Sequence, residues 1–268
     1  MDSVAPITVF DGDLIRASLF NPQAKRLLVT FRQRVPGVGG FWNKEPVRGM
    51  IRNGFAQLHL QSLNNDWYIN SETQALERTL HGICGNYDRV VAMGFSMGGY
   101  AALRLSEALR LDHVLAISPQ FTIEPGVVAH NRQWSEAKHY DAALGDLTRH
   151  GRRDLRGVVV LDPFRKMDLN HALHIQAAFP KITLCRLACG GHPASQVIGQ
   201  SGGLWKLHKM LGAGRLTAAR VQALHRSGRR ESPTYWKQLA RVAGRNGRAQ
   251  LRIAAELRHD LLVETQES

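Results

Sequence analysis

The sequence predicts an α/β protein with a mostly parallel sheet flanked by helices, followed by a C-terminal all-helical extension. Short apolar runs alternate with amphipathic stretches through about the first 200 residues, which is the rhythm of βαβ units. These runs are continuously apolar and not alternating, as expected for strands that helices cover on both faces. From about Gly202 onward, apolar positions recur at helical spacing and no further strand is predicted.

The strands and helices of the first region are predicted from these runs in chain order. The predicted strands are residues 26–31, 90–93, 113–119, 157–163 and a run that begins at Ile182. Helices are predicted between them, from Ser71, from Gly98 and over residues 169–178. In the second of these helices, Ala101, Leu105 and Ala108 recur at the spacing of one helix face.

Two regions are expected, an α/β domain over residues 1–212 and a basic helical extension over residues 213–268. Ser232 followed by Pro233 is typical of a helix start within the extension. The chain has 35 Lys and Arg and 22 Asp and Glu, a net charge of +13, and residues 201–268 contribute +8 of it. No recognised nucleic-acid module or cluster of stacking aromatics accompanies these charges, so nucleic acid is not the expected partner. We expect instead that a protein partner could bind through the C-terminal helices.

The composition excludes several broad classes of protein. A length of 268 residues with 44% hydrophobic residues fits an ordinary globular protein. No window approaches 18 consecutive apolar residues, so no membrane span is predicted. The N-terminal sequence lacks a basic segment followed by an apolar run, so no secretory signal is predicted. Three cysteines, Cys84, Cys185 and Cys189, form no obvious disulfide framework, which favours a reducing, cytoplasmic location.

A candidate nucleophile lies between a predicted strand and a predicted helix. Residues 94–98 read Gly-Phe-Ser-Met-Gly and fit the pattern G-x-S-x-G. A serine on such a sharp turn projects its hydroxyl above the sheet edge, and side chains at Gly94 or Gly98 would collide with neighbouring backbone. The helix that follows directs the positive end of its dipole at Ser96, where it favours a developing anion.

A serine hydroxyl needs a base, and the base needs an acid to orient it. His192 follows a predicted strand directly, in the sequence Gly-Gly-His-Pro, so its loop can bring it over the sheet edge to Ser96. Two acids are candidates. Asp162 ends one strand, and Asp168 begins the next helix, where it also fits a helix N-cap. Asp162 is preferred and Asp168 stays open as the alternative.

This chain order, Ser96, then Asp162 or Asp168, then His192, resembles that of the α/β-hydrolase superfamily. The resemblance spans about residues 25–210, and its most specific parts are the sequences GFSMGGYAALRLS and GGHP. A weaker likeness, in AISPQ and LDPFRKMD, is to small bacterial hydrolases found with polysaccharide-related proteins.

The resemblance implies an oxyanion hole built from two backbone N–H groups. One would be that of Met97, the residue after the nucleophile. The other would come from the loop after the early strand, at Phe31 or Arg32. The sequence departs here from the commonest pattern, because no His-Gly pair follows that strand.

A metal site is not expected from the cysteines. Cys185, Cys189 and His192 have the spacing C-x₃-C-x₂-H, but zinc needs four ligands, or three and a water, and no fourth ligand is near in the sequence. Cys185 also lies within a predicted strand. Buried thiols are the better interpretation, and no metal or diffusible cofactor is expected.

The function that the resemblance implies is that of a serine hydrolase, which cleaves a carboxylic ester through an acyl-serine intermediate. An acyl group on a saccharide is one such ester, and the same triad also serves thioesterases and acyltransferases. The alternative is a non-catalytic scaffold of hydrolase fold, whose basic helical tail binds a protein or polyanion partner. Reaction of Ser96 with a fluorophosphonate discriminates between the two.

Overall fold

A computed structural model describes residues 5–35, 37, 40–131 and 134–267. Eight strands form one sheet. In chain order they are β1 (Ile7–Asp11), β2 (Ile15–Phe20), β3 (Arg26–Phe31), β4 (Phe55–Ser62), β5 (Arg89–Phe95), β6 (His113–Ile117), β7 (Arg156–Leu161) and β8 (Ile182–Arg186). Their spatial order is β1-β2-β4-β3-β5-β6-β7-β8.

Six neighbouring strands are mutually parallel, in the order β4-β3-β5-β6-β7-β8. The strands β1 and β2 add an antiparallel edge beside β4. The carboxyl ends of the parallel strands therefore meet at one edge of the sheet. In open α/β sheets, ligands bind outside this edge.

Ten α-helices occur within the described residues. They are α1 (Arg48–Arg52), α2 (Thr73–Cys84), α3 (Met97–Arg104), α4 (Leu147–His150), α5 (Lys166–Ala178), α6 (Gln196–Gln200), α7 (Leu204–Gly212), α8 (Ala218–Gly228), α9 (Pro233–Arg245) and α10 (Ala249–Glu267). Short 3₁₀ helices occur at Ser135–His139 and Arg229–Glu231.

Two hydrophobic cores cover the two faces of the sheet. On one face, α2, α3 and α5 contribute residues such as Leu80, Ala101 and Ile175. On the other face, α1, α6, α7 and α8 contribute residues such as Leu207 and Val221. This double cover explains why the central strands are apolar along their whole length, and it confirms the predicted fold class.

The sequence missed three strands, β1, β2 and β4, all on the antiparallel side of the sheet. In β4, apolar and polar residues alternate, so that it lacks the continuous apolar run that marked the other strands. Leu58 and Leu60 face the first core, whereas Gln57, His59 and Gln61 point to the opposite face and are also buried. Because of these buried polar side chains, β4 contains no continuous apolar run by which it could be predicted.

Only helices follow β8 in the described residues, as the sequence predicts. The first helix of the predicted extension, α8, packs on the sheet, since Val221 belongs to the second core and His225 Nε2 lies 3.0 Å from the carbonyl oxygen of Ala188. Beyond it, α9 and α10 pack mainly on each other. The division at residue 212 stays a prediction. Among the described residues, none of the helices combines the length and apolar character needed to cross a bilayer.

Candidate active site

Ser96 occupies the turn between β5 and α3. Its backbone has φ 48° and ψ −118°, a conformation that residues other than glycine rarely adopt. The Ser96 N–H donates to the carbonyl oxygen of Ile117 at 2.8 Å, which holds the strained turn against β6. Strain that the surrounding structure enforces is a feature of functional sites.

Glycines beside Ser96 make this turn sterically possible. A Cβ on Gly94 would collide with the carbonyl oxygen of Gly98, and a Cβ on Gly98 would lie 2.9 Å from the Cβ of Phe31. A Cβ on Gly99 would lie 3.2 Å from the carbonyl oxygen of Gly94. The motif is therefore a packing requirement where α3 crosses β3 and β5.

His192 lies in the loop after β8 and reaches Ser96 across the carboxyl edge of the sheet. Its Nε2 is 3.1 Å from the Oγ of Ser96. The Ser96 residue is 8% exposed and the His192 side chain 22% exposed, so the pair lies near the surface and is accessible to a small substrate.

The structure places Asp168, and not Asp162, against His192. Asp168 Oδ2 lies 2.9 Å from His192 Nδ1. The two oxygens of Asp162 instead accept the backbone N–H groups of Phe164 and Gly191, each at 3.0 Å. The sequence preference for Asp162 is corrected accordingly, because loop amides engage its carboxylate whereas Asp168 on α5 faces the imidazole.

No protein-family model and no curated protein matches the chain. The capsule O-acetyltransferase of Neisseria meningitidis serogroup A matches 74% of this chain and 92% of its own, with 14% identity and a TM-score of 0.52. The glycosylation-associated protein complex Gap123 of Streptococcus agalactiae matches 76% of this chain and 46% of that chain, with 11% identity and a TM-score of 0.53. XC6422 of Xanthomonas campestris, an α/β serine hydrolase without a lid, matches 78% and 92%, with 16% identity and a TM-score of 0.43.

The chain has an α/β-hydrolase fold. Within this hydrolase fold, the strand–turn–helix at Ser96 and the loop of His192 lie at the carboxyl edge of the sheet. The two segments that carried the sequence resemblance are thus the two that meet at the candidate site.

Asp168 lies near two sources of positive charge. It lies in the first turn of α5, where the helix dipole stabilises an anion. Arg165 Nε is 3.4 Å from its Oδ2 and supplies a nearby positive charge. The Asp168 side chain is 1% exposed, and its Oδ1 has no hydrogen-bond partner among the residues that the structure describes. The Oδ2 atom therefore carries the contact with His192.

His171 is a buried histidine that the sequence did not single out. The backbone N–H of Phe121 donates to its Nδ1 at 3.0 Å, and its Nε2 lies 3.1 Å from Oδ1 of Asn131. These contacts fit a neutral ring with its proton on Nε2, and burial lowers the pKa of His171 to about 4. It anchors residues 121–131 on α5, one turn beyond Asp168. A histidine inside a helix has no spacing that would reveal such a role.

The candidate oxyanion donors differ in whether their N–H groups already have a hydrogen-bond partner. Met97 is the first residue of α3, so its N–H has no partner within the helix. The Arg32 N–H donates to the carbonyl oxygen of Leu60 at 2.9 Å, which removes Arg32 as a donor. Because successive N–H groups along a strand point to opposite neighbours, that of Phe31 is directed at β5. The Gln33 N–H, next along the loop, has no hydrogen-bond partner among the described residues.

Tyr68 fixes the peptide that carries this free N–H. Its hydroxyl lies 3.0 Å from the carbonyl oxygens of Arg32 and Leu60, and the residue is fully buried. A Cβ placed on Gly98 would be 3.3 Å from the same Arg32 oxygen, so this peptide lies against the start of α3. The Gln33 N–H is therefore on a fixed peptide close to the turn at Ser96.

The three cysteines are buried and unpaired. Burial raises the pKa of Cys84, Cys185 and Cys189 to about 12, so these thiols are poor nucleophiles and poor ligands. Within the part of the chain that the structure describes, no cluster of three or more His, Cys, Asp or Glu side chains is arranged to hold a metal.

Proposed function

We propose that the chain is a serine hydrolase with Ser96 as nucleophile, His192 as general base and Asp168 as the acid that orients it. One observation carries the proposal. An unbroken series of contacts runs from Ser96 Oγ to His192 Nε2 at 3.1 Å, and from His192 Nδ1 to Asp168 Oδ2 at 2.9 Å. A proton on Nδ1 satisfies Asp168 and leaves Nε2 free to accept the serine proton.

The proposed reaction passes through an acyl-serine. His192 Nε2 removes the proton of Ser96 as the serine oxygen attacks the carbonyl carbon of an ester. The N–H groups of Met97 and, in this proposal, Gln33 donate to the oxyanion that develops. The tetrahedral intermediate collapses as the imidazolium returns its proton to the leaving alcohol. Water activated by His192 then attacks the acyl-serine and releases the acid.

The proposed substrate is a carboxylic ester, and an acyl group on a saccharide is the favoured form. Two of the similar proteins, each with a TM-score above 0.5, are named as a capsule O-acetyltransferase and as a glycosylation-associated complex, which supports a saccharide-linked ester. The same triad would also serve a thioesterase, or an acyltransferase whose acceptor is not water.

Labelling with a fluorophosphonate tests the proposal. Wild type, Ser96→Ala, Asp168→Asn and Asp162→Asn would be compared, with the labelled residue mapped by mass spectrometry. We expect labelling at Ser96, none in Ser96→Ala, strongly slowed labelling in Asp168→Asn and a smaller effect in Asp162→Asn. A folded wild-type protein that is not labelled would instead favour the non-catalytic scaffold.

The protein partner expected at the C-terminal helices stays a prediction. Ile253, Leu257 and Leu261 are 49%, 66% and 49% exposed and follow one another at four-residue intervals along α10. This apolar row, on the side of α10 away from α9, is the surface that substitutions should address first.

A further inference from the structure

A broad groove lies away from Ser96, between the antiparallel edge of the sheet and the loop that leads into α1. Its volume is about 820 Å³. Among the described residues, Glu45 is the one acidic residue that lines it. Four basic residues of the described chain line it: Arg16, Lys44, Arg48 and Arg52. Arg16 is paired with Asp11 and Arg48 with Glu45, so the excess positive charge comes from Lys44 and Arg52. The groove is therefore positively charged, although the basic C-terminal helices lie elsewhere.

The loop that forms one wall of this groove is held in place by buried glutamines of β4. The N–H of Trp42 donates to Gln61 Oε1 at 2.9 Å, and its carbonyl oxygen accepts from Gln61 Nε2 at 2.8 Å. The N–H of Val47 donates to Gln57 Oε1 at 2.6 Å. These bonds explain why polar side chains are buried on this face of β4. They also fix the wall before any ligand binds.

Trp42 presents an aromatic surface inside the groove. Trp42 is 52% exposed, although its backbone is fixed. The guanidinium of Arg32 lies 4.1 Å from the centroid of its ring. Arg32 is 5% exposed and its Nη2 has no hydrogen-bond partner in the described part of the chain, so a buried cation backs the ring. An exposed aromatic ring in a polar groove suits the apolar face of a sugar ring, and the nearby cations suit anionic groups.

The groove begins at the same sheet edge as the candidate nucleophile. Arg16 is paired with Gln61, next to the last residue of β4, and Trp42 is bonded to the same glutamine. Ser96 follows the carboxyl end of β5. Arg16 on β2 and Ser96 after β5 are separated by three strand spacings, across β4 and β3, which is roughly 14 Å. A chain of several sugars covers this span, whereas a single acyl group does not.

We propose that this groove binds an anionic saccharide chain, and that an acylated sugar of the same chain reaches Ser96. The claim that an acylated sugar reaches Ser96 rests on the proposed function, whereas the claim that the groove binds the saccharide chain does not. The basic side chains would pair with carboxylate or phosphate groups of the chain. Thr8, Ser18 and Asn43 line the groove and supply hydrogen-bonding groups for sugar hydroxyls.

Binding would be measured on Ser96→Ala, so that no turnover interferes. The probes are fluorescein-labelled hexagalacturonate, a phosphodiester-linked oligosaccharide of the same length, neutral maltohexaose and a single-stranded DNA of similar charge, followed by fluorescence anisotropy. The groove variant carries Arg16→Gln, Lys44→Gln, Arg48→Gln and Arg52→Gln. The matched control removes four exposed C-terminal charges, by Arg226→Gln, Lys237→Gln, Arg241→Gln and Arg248→Gln.

We expect at least one anionic saccharide to bind more tightly than maltohexaose and DNA, and the tighter of the two identifies carboxylate or phosphate as its anionic group. The groove variant should weaken this binding about tenfold or more, and the control less than about twofold. Trp42→Ala should weaken binding of the saccharide several-fold but leave that of inorganic tripolyphosphate, measured as a competitor of the labelled saccharide, unchanged. Equal loss in the two quadruple variants, tighter binding of DNA, or no effect of Trp42→Ala would overturn the proposal.

Fluorophosphonate labelling of the wild type separates this proposal from the proposed function. Saccharide binding in the groove without labelling of Ser96 would retain the anionic saccharide site and reject the hydrolase. Labelling of Ser96 without saccharide binding would retain the hydrolase and reject the groove.

Discussion

Oδ2 of Asp162 lies 3.0 Å from the backbone nitrogen of Gly191, one residue before His192. Oδ1 of the same carboxylate accepts the N–H of Phe164 at 3.0 Å. Burial raises the pKa of Asp162, and these amide hydrogen bonds partly offset that effect. Asp162 thus ties the end of β7 to the loop of the candidate base, and it forms no hydrogen bond with the imidazole.

Asp162→Ala should lower activity by loosening this loop. We expect a fall in kcat of roughly tenfold and a loss of about 1–3 kcal/mol in the free energy of unfolding, since two buried amides lose their acceptor. Asp162→Asn should recover part of both, because its carbonyl oxygen still accepts one of the two N–H groups. Ester hydrolysis and urea denaturation measure the two effects. A positioning role is rejected if the alanine and asparagine variants are equally impaired.

Asp168→Asn should have a far larger effect on catalysis. An amide NH₂ facing His192 Nδ1 stabilises the tautomer that carries its proton on Nε2, and that nitrogen then cannot accept the serine proton. By analogy with other triads, kcat should fall on the order of 10³-fold or more. Steady-state hydrolysis of p-nitrophenyl acetate measures it. A loss no greater than that in Asp162→Asn would remove Asp168 from the triad.

Gly94→Ala should destabilise the protein through a backbone collision. The added Cβ would collide with the carbonyl oxygen of Gly98, which cannot move without distorting α3. We expect a loss of about 2–3 kcal/mol in the free energy of unfolding. Gly82→Ala is the matched control, because a Cβ at this position in α2 meets no described atom within 4 Å. It should raise the free energy of unfolding by about 0.5–1 kcal/mol, since alanine favours a helix more than glycine does. Similar denaturation midpoints for the two variants would contradict this account.

Stability should fall as the pH is lowered toward 4, in part because of His171. Its pKa is about 4 in the folded protein and ordinarily 6.5, as in an unfolded chain, so the unfolded chain binds more protons between these values. The free energy of unfolding therefore decreases as the pH falls through this window. His171→Gln cannot be protonated and should show a smaller decrease between pH 7.5 and pH 4.5 in urea denaturation. An unchanged pH dependence would show that His171 does not contribute.

Tyr68→Phe should affect the rate more than substrate binding. Loss of the hydroxyl frees the carbonyl oxygen of Arg32, and the peptide that carries the Gln33 N–H becomes less fixed. We expect kcat to fall several-fold with little change in KM, since an oxyanion donor acts mainly in the transition state. A rise in KM at unchanged kcat would indicate that Tyr68 acts on substrate binding instead.

The apolar pattern predicted the central strands, because burial on both faces leaves little room for polar residues. The strand β4 escaped the prediction for the opposite reason. In β4, the buried Gln57 and Gln61 bind the backbone of a loop, and only the fold provides those partners. A polar side chain that is satisfied by distant backbone has no signature in the local sequence.

The candidate site was predicted in part for similar reasons. Ser96 directly follows β5 and His192 lies in the loop that follows β8, so the topology places both at one sheet edge. The choice between Asp162 and Asp168 depends on the path of six residues after β7, and chain order does not describe that path. The free N–H of Gln33 likewise depends on where β3 stops pairing with β4.

Helix α5 carries two buried hydrogen-bonding side chains, Asp168 and His171, on neighbouring turns. Asp168 faces His192, and three residues later His171 holds the segment 121–131 through bonds at both of its ring nitrogens. Asn170 adds a third bond to that segment through the carbonyl oxygen of Ala129. Residues 121–131 and the candidate base are therefore attached to the same stretch of α5, within one helical turn of each other. Any ligand or partner that displaced residues 121–131 would have to break hydrogen bonds on the helix that also carries Asp168.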